Sequence, residues 1–306
     1  MAAVPTSSAT VDAVVVAYNS AETLRACIEP LAGLPWVAVT VVDNASPDDS
    51  TAAVADLPVR VVRAPRNGGF SYGCNLGMAG GTAEFVLLLN PDARIDPESL
   101  ATLVDALRSR PGLGGVGPRT LDESGDLVWS QRRFPRLRST YAQAFFLQRI
   151  WPLASWTDEL VRDPDAYAAP GAPDWLSGAC LLLRRTALDA IGGLDEGFFL
   201  YSEDTDLFRR LRSEGWGVRY EPRATAWHRG GASAPRHTTE WITARSRVRY
   251  ARKHHSATVA ALEALGVVIR AVTHAVAWIH RPARARGHVA AARAALAAVR
   301  PSGRAG

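Results

Sequence analysis

Phe85-Val86-Leu87-Leu88-Leu89-Asn90-Pro91-Asp92 runs through five apolar residues and stops on turn chemistry that ends in a carboxylate. An apolar run without polar alternation reads as a strand covered on both faces, the habit of a parallel sheet. Its neighbours repeat the pattern. Val11 to Ala17 is a β-branched run ending at Tyr18-Asn19, Val37 to Val42 ends at Asp43-Asn44, and Val59 to Arg63 precedes the turn Asn67-Gly68-Gly69. Helix signals lie between them. Ser20 caps a predicted helix to Leu31, Asp48 to Val54 opens another, Ser71 to Gly80 is a helix of small residues, and Pro97 starts one running to Ser109. This alternation predicts an α/β fold, a doubly wound, mostly parallel central sheet with flanking helices. Ligands in such sheets sit beyond the carboxyl ends of the strands. Tyr18-Asn19, Asp43-Asn44, Asn67-Gly68 and Asn90 to Asp92 all put polar residues on that one rim.

Further along, Val116 to Pro118 reads as a short strand and Glu123-Ser124-Gly125-Asp126 as a hairpin turn. Phe134 to Asp174, rich in aromatics and prolines, reads as an irregular segment, mobile or on the acceptor side. Trp175 to Arg184 reads as one strand and Arg185 to Ile191 as a short helix. Ser202 is the predicted N-cap of a helix from Glu203 to Ser213, closed by Gly215. Two short strands, Val218 to Glu221 and Ala224 to Trp227, deliver His228, and the remainder has a helical pattern.

The net charge of +5 hides an asymmetry. Arg236 to Gly306 carries thirteen Lys/Arg against two acids, a net of +11, which leaves −6 for residues 1–235. The sequence therefore divides into a mildly acidic body, 1–235, and a basic helical extension, 236–306. In the extension Val259, Leu262, Gly266, Ile269, Val272, Val276 and Ile279 recur at helical spacing, followed by Arg281, Arg284, Arg286, Arg293, Arg300 and Arg304. A basic amphipathic helix of that kind suits an anionic membrane surface; a helix packed on the body followed by a loose arm fits the same spacing. Nucleic acid is not the expected partner, because the acidic body offers no basic face and no reading motif occurs. Cys27, Cys74 and Cys180 lack metal-ligand spacing and read as reduced thiols. No basic, then apolar, N-terminal leader is read, and the most apolar window, Ala257 to Ile279, is interrupted by Glu263, Arg270 and His274.

Each chemical motif has two readings. Asn90-Pro91-Asp92 is good β-turn chemistry, and it is also a place where Asp92 could hold a divalent cation bridging two phosphates. Glu203-Asp204-Thr205-Asp206 complements a helix dipole, and it could also present Asp204 to a cleft as a general base. His228 is a structural imidazole or a metal ligand, and Gly230-Gly231 after it permit close backbone approach. Asp43 closes an Asx-turn or accepts from a pyrimidine N–H. Asn67-Gly68-Gly69 with Asn75 has neither dinucleotide-fold spacing nor a Gly-Lys-Ser/Thr loop.

In their order and spacing, Val14 to Ser20, Val41 to Ser46, Arg66 to Phe70 with Asn75, Leu87 to Asp92, Trp175 to Ala179, Phe198 to Leu207 and Trp227 to Gly231 resemble the inverting family-2 glycosyltransferases of GT-A fold. Within that family the chain is similar to bacterial rhamnosyltransferases acting on polyprenyl-diphosphate-linked sugars. The resemblance implies that Tyr18, Asn19, Asp43, Asn67, Gly68, Asn75 and Asn90 hold the nucleotide-sugar. It implies that Asp92 and His228 hold Mg²⁺ or Mn²⁺, and that Asn90 stands where an Asp-x-Asp element has its first acid. Asp204 is then the catalytic base, and Trp175, Ser177, Gly178 and Glu203 lie on the acceptor side. The implied donor is dTDP-rhamnose, with a UDP- or GDP-sugar such as galactofuranose or mannose as the alternative. The implied acceptor is lipid-linked or a cell-wall glycan. The implied location is cytoplasmic, peripheral on the inner face of the plasma membrane. A nucleotide-binding membrane scaffold without turnover is the reading from a different class.

Overall fold

The computed structural model describes residues 9–230 and 236–299. Gly231, Arg300 and Arg304 lie outside the described residues. The described chain divides into two compact units. The first comprises residues 9–132, 163–197 and 203–230, and the second 133–162, 198–202 and 236–299.

In the first unit the strands are β1 (Val11–Ala17), β2 (Val37–Asp43), β3 (Arg60–Arg63), β4 (Phe85–Leu89), β5 (Ala93–Ile95), β6 (Leu113–Leu121), β7 (Gln131–Arg132), β8 (Trp175–Leu176), β9 (Cys180–Arg184) and β10 (Gly217–His228). Its helices are α1 (Leu24–Ile28), α2 (Phe70–Met78), α3 (Pro97–Arg108), α6 (Arg185–Ala190) and α7 (Glu203–Ser213). The second unit holds α4 (Leu137–Ala144), α5 (Leu147–Ile150), α8 (Arg236–His254), α9 (Ala257–Ala277) and α10 (Pro282–Val299).

The main sheet has the order β3-β2-β1-β4-β9-β6-β10-β5. β3, β2, β1 and β4 are parallel neighbours and β6 is parallel to β10, whereas β9 runs antiparallel to β4 and β6. All five residues of β4 are buried, as an unbroken apolar run demands. One face packs on α1 and α3 through Leu24, Ile28, Leu100, Leu103 and Leu107. On α2, a Cβ added at Gly73 or Gly77 would stand 2.6 or 2.4 Å from side-chain atoms of Val16 or Val14. Glycines there let the helix approach the sheet closely.

Several local expectations need correction. The helix foreseen from Ser20 to Leu31 is regular only over Leu24–Ile28. Ser20 does not cap it, because its hydroxyl donates back to the Tyr18 carbonyl at 3.0 Å. The turn Ser50–Val54 is a 3₁₀ helix. The single strand foreseen from Trp175 to Arg184 is broken at residues 177–179: β8 pairs with β7 in a separate two-stranded sheet, and β9 joins the main one. The two strands before His228 are one strand, β10, with a register shift between Glu221 and Thr225. Ser202 is not an ordinary N-cap: its φ is +63°, beside Tyr201 at +65°, rather than extended. The 134–174 segment contains α4 and α5 and is less irregular than its composition implied.

In the second unit, Ala244 and Val248 of α8 pack with Ala264, Val267 and Ala271 of α9 and Ala291 and Ala295 of α10. A buried ion-pair group ties α8 and α9 to the 133–162 segment. Arg247 Nε donates to Glu263 at 2.6 Å and Nη1 to Glu159 at 2.6 Å, while Nη2 donates to Thr140 Oγ1 at 2.8 Å. Burial works against this guanidinium, but the two carboxylates outweigh it and raise its pKa.

Candidate active site

Every residue singled out from the sequence for binding or catalysis lies in the first unit. The rim begins where β1, β2 and β3 end level with one another, Ala17 opposite Asp43 and Asp43 opposite Arg63. Beyond them the loops interlock through side chains. Asn19, at φ +52°, gives its backbone N–H to Ser46 Oγ at 2.7 Å. Asp43 Oδ1 accepts from the Ser46 N–H at 2.9 Å, a local side-chain turn one residue wider than the Asx-turn read from the sequence. Asp48 accepts from the hydroxyls of Ser46 and Ser50 and from the Ala21 N–H. Burial opposes its charge, but these hydrogen bonds prevail and hold the Asp48 carboxyl below its ordinary pKa.

Asn44 was seen in the sequence only as a strand-end residue, but it organises this rim. It is 2% exposed. Its Nδ2 donates to Asn67 Oδ1 at 3.1 Å and to the Gly69 carbonyl at 3.2 Å, and its Oδ1 accepts from the Gly68 N–H at 3.2 Å. Gly69 takes φ +89°, and a Cβ at Gly68 would meet the Tyr72 ring at 2.3 Å, so both glycines are required. Tyr18 stands 39% exposed at the same rim. Asn75 is engaged elsewhere: its Nδ2 donates to the Leu194 carbonyl at 2.9 Å and to Glu196 at 3.0 Å, and its Oδ1 accepts from the Leu194 N–H at 3.0 Å. Its amide thus fixes the turn after α6.

At the end of β4 the turn and the functional geometry are the same object. The Ala93 N–H closes the Asn90 turn at 3.0 Å, and β5 then pairs antiparallel with the end of β10, Ala93 opposite His228. This brings His228 Nε2 to 3.2 Å from Asp92 Oδ1, with the side chains 20% and 8% exposed. The Arg229 N–H donates to the Asp92 carbonyl at 3.0 Å, so the backbone secures the same meeting. Among the described residues no group of three or more His, Cys, Asp or Glu gathers as a metal cage. A cation that keeps phosphate oxygens and water in its shell needs only one or two protein ligands. A carboxylate and an imidazole in contact, with Asn90 alongside in sequence, fit that demand.

The second acidic cluster is linked to the first through backbone. The Asn90 N–H donates to the Ala179 carbonyl at 2.9 Å, and the neighbouring Gly178 N–H donates to Asp204 Oδ2 at 3.2 Å. Asp204 Oδ1 accepts from the Thr205 N–H at 2.7 Å. Burial raises the Asp204 pKa, while these N–H groups and the field of Arg132 pull the other way. Arg132 was not singled out in the sequence. It lies opposite Trp175 in the β7–β8 pair, its guanidinium 5.6 Å from the Trp175 ring. No spacing rule pointed to it, because the pairing joins segments far apart in the chain. Ser177 is fixed by its N–H to the Ser130 carbonyl at 3.0 Å. Glu203 is 9% exposed, and its Oε2 has no hydrogen-bond partner. Burial, and then the Asp204 carboxylate, push the Glu203 pKa well above its ordinary value. Asp206 takes the structural role: it is fully buried and ion-paired with Arg210 at 2.7 Å, one helical turn on.

A mostly parallel sheet whose strand ends carry interlocked polar loops, an Asp–His pair and a separately held carboxylate defines a GT-A architecture. Solved structures of that fold superpose. The mannosyltransferase PcManGT from Pyrobaculum calidifontis, in complex with GDP-Man and Mn²⁺, matches with TM-score 0.56 at 17% identity, over 95% of this chain and 87% of that one. GalNAc-T7 with UDP, GalNAc and Mn²⁺ matches with TM-score 0.58 at 14% identity, over 80% of this chain and 48% of that one. The model of glycosyl transferase family 2 matches residues 12–163. The N-acetylglucosaminyl-diphospho-decaprenol L-rhamnosyltransferase of Mycobacterium tuberculosis is 35% identical over 227 residues, 70% of this chain and 73% of that protein. Rhamnosyltransferase WbbL of Escherichia coli is 29% identical over 150 residues, 47% of this chain and 52% of that protein. The chain belongs to glycosyl transferase family 2 and is a glycosyltransferase.

Proposed function

We propose that the enzyme transfers L-rhamnose from dTDP-rhamnose, with inversion, to a polyprenyl-diphosphate-linked or cell-wall glycan acceptor. It would act from the cytoplasm, peripherally on the inner face of the plasma membrane. The relative that is a decaprenol-linked L-rhamnosyltransferase supports the sugar and the acceptor class. The observation that carries the chemistry is the short relay from the Asn90 turn through Ala179 and Gly178 to Asp204, which holds the base within the same loop cluster as the Asp92–His228 pair.

In this reading Tyr18, Asn19, Asp43, Asn67 and Gly68 seat the nucleoside on the rim. Asp204 accepts the acceptor hydroxyl's proton as that oxygen attacks the anomeric carbon, and the diphosphate departs with the bonding pair. The Gly178 and Thr205 N–H groups aim the Asp204 carboxylate, and Arg132 favours its ionised form. Asp92 and His228, with Asn90, would hold Mg²⁺ or Mn²⁺, which offsets charge on the departing diphosphate. The base is not spent in an ion pair, which speaks against a scaffold that has lost turnover. Incubating the purified chain with dTDP-, UDP- and GDP-sugars in the presence of Mg²⁺ or Mn²⁺ tests the reading. Consumption of dTDP-rhamnose, abolished by chelation, is the expected result. Metal-dependent turnover of a UDP- or GDP-sugar alone would replace the donor assignment, and metal-independent turnover would remove the cation.

A further inference from the structure

The helix α9 has two apolar faces, and only one of them is used. Its small residues Ala260, Ala264, Val267 and Ala271 pack into the second unit. Its large ones do not: Leu262, Leu265, Val272 and Val276, with Ile279 just past its end, are 42–74% exposed. They follow one another at intervals of three, seven, four and three residues, which aligns them in one stripe. At 1.5 Å per residue the stripe is about 26 Å long. No charge interrupts it. Glu263 is buried against Thr140 and Arg247, and Arg270 falls on another side of the helix by its spacing. A helix face turned to water ordinarily carries polar or charged residues. A contiguous exposed apolar surface marks a binding surface.

A second group of exposed large side chains is fastened to the same helix. Phe145, Ile150, Trp151, Leu153 and Trp156 are all exposed. Their segment is held by Thr273 Oγ1 donating to the Ala144 carbonyl at 2.7 Å and by Phe146 stacked on His274 at 4.3 Å. At the end of the stripe, Trp278 lies under the guanidiniums of Arg281 and Arg284, 5.3 and 4.7 Å from its ring. The exposed charge at this end of the stripe is positive, Arg281 and Arg284, and Arg286 and Arg293 of α10 are exposed as well. The two acids of the C-terminal region are turned to internal partners, Glu263 to Arg247 and Glu240 to His288 at 4.0 Å.

We propose that the exposed α9 stripe, together with the aromatic segment 145–156, is a docking surface for an anionic lipid bilayer, with the leucine, valine and isoleucine side chains in the acyl boundary and the α10 arginines at the headgroup phosphates. The helical spacing in the sequence already marked the apolar face of Val259 to Ile279 for such a surface; the structure adds the aromatic segment 145–156, more than a hundred residues earlier, fastened to the same helix. Tryptophan and arginine bordering an apolar face are interfacial chemistry. The helix is long and apolar enough to cross a membrane, but 39% of that stretch is buried inside the unit, so it lies along a bilayer rather than through it. A second copy of the chain is the poorer occupant, because it would bring two strongly basic surfaces together. The inference supplies a surface for the membrane location proposed above and rests on that part of the reading, but not on which sugar is transferred, which the donor panel tests separately.

The test is co-flotation of the full chain with phosphatidylcholine vesicles, with and without phosphatidylglycerol. The wild type floats with the anionic vesicles, and vesicles of brominated acyl chains quench its tryptophan fluorescence. The triple variant Leu265→Gln/Val272→Gln/Val276→Gln loses at least about tenfold in bound fraction, by the apolar area it no longer buries. Its melting curve and its donor turnover in solution stay as in the wild type, since the replaced side chains touch water already. Arg281→Gln/Arg284→Gln weakens binding most at low salt. Flotation of the triple variant equal to wild type overturns the proposal. So does a wild-type dimer in light scattering that the triple variant dissolves without any vesicle binding by either.

Discussion

At the residue scale, two neighbouring acids are set apart by their surroundings. In the motif Glu203-Asp204-Thr205-Asp206 the sequence resemblance makes Asp204 the base and sets Glu203 on the acceptor side. The structure gives Asp206 to Arg210, buries Glu203 with its Oε2 unpaired and leaves Asp204 on backbone N–H groups. Sequence could choose a candidate base but not foresee the burial of Glu203 and Asp206 beside it, since burial is settled by what α7 packs against. Asp204→Asn should cut turnover about 10²–10⁴-fold with donor affinity nearly unchanged, as single-turnover and binding titrations would show. Because its pKa is raised by burial, the rate should begin to fall, as pH drops, at a higher pH than an ordinary aspartate would give. Glu203 makes a stability prediction. Its folded-state pKa lies above the unfolded one, so its contribution is full below the unfolded pKa and is lost as pH rises through the folded value. Glu203→Gln should therefore stabilise the protein at neutral pH, on the order of 1 kcal/mol or more, with the gain vanishing in acid. Urea melts at the two pH values decide it. At Ser202, φ +63° is glycine territory, so Ser202→Gly should add about 1 kcal/mol of stability in the same assay.

At the scale of elements, the parallel strands of the first hundred residues were legible, and the loops and the strands beyond them were not. β1, β2 and β4 announce themselves because a strand covered on both faces is built mostly of apolar, β-branched residues. The helix after β1 was overdrawn because Ser20 has a closer acceptor, its own loop, than the helix end. The role of Asn44 was hidden because its partners, Asn67 to Gly69, come from beyond β3. Asn44→Ala removes those hydrogen bonds at a buried position, and at about 1 kcal/mol each it should cost roughly 2–3 kcal/mol of stability. Donor KM should rise with kcat little changed, because the rim and not the base is loosened. Steady-state kinetics would show a kcat effect instead if Asn44 acted in the chemistry.

At the scale of the molecule, the charge division between body and extension was plain in the sequence, but the membership of the second unit was not. α4 and α5 join α8, α9 and α10 through side chains such as Thr140, Glu159 and Arg247, and no periodicity records such a meeting. Removal of everything after Ser256 would take Glu263 from Arg247, Leu262 from Tyr141 and Thr273 from Ala144. Breaking a buried ion pair by deleting one partner costs about 3–5 kcal/mol. The truncated chain should melt lower and aggregate, so point variants on α9 are the cleaner probe; an unchanged melting curve after truncation would contradict this. The Asp92–His228 contact depends on β5 lying against the last residues of β10. A nascent polypeptide cannot form that contact until residue 228 has left the ribosome, so in the reading proposed above a chain cut short of His228 has no cation site with which to spend activated sugar.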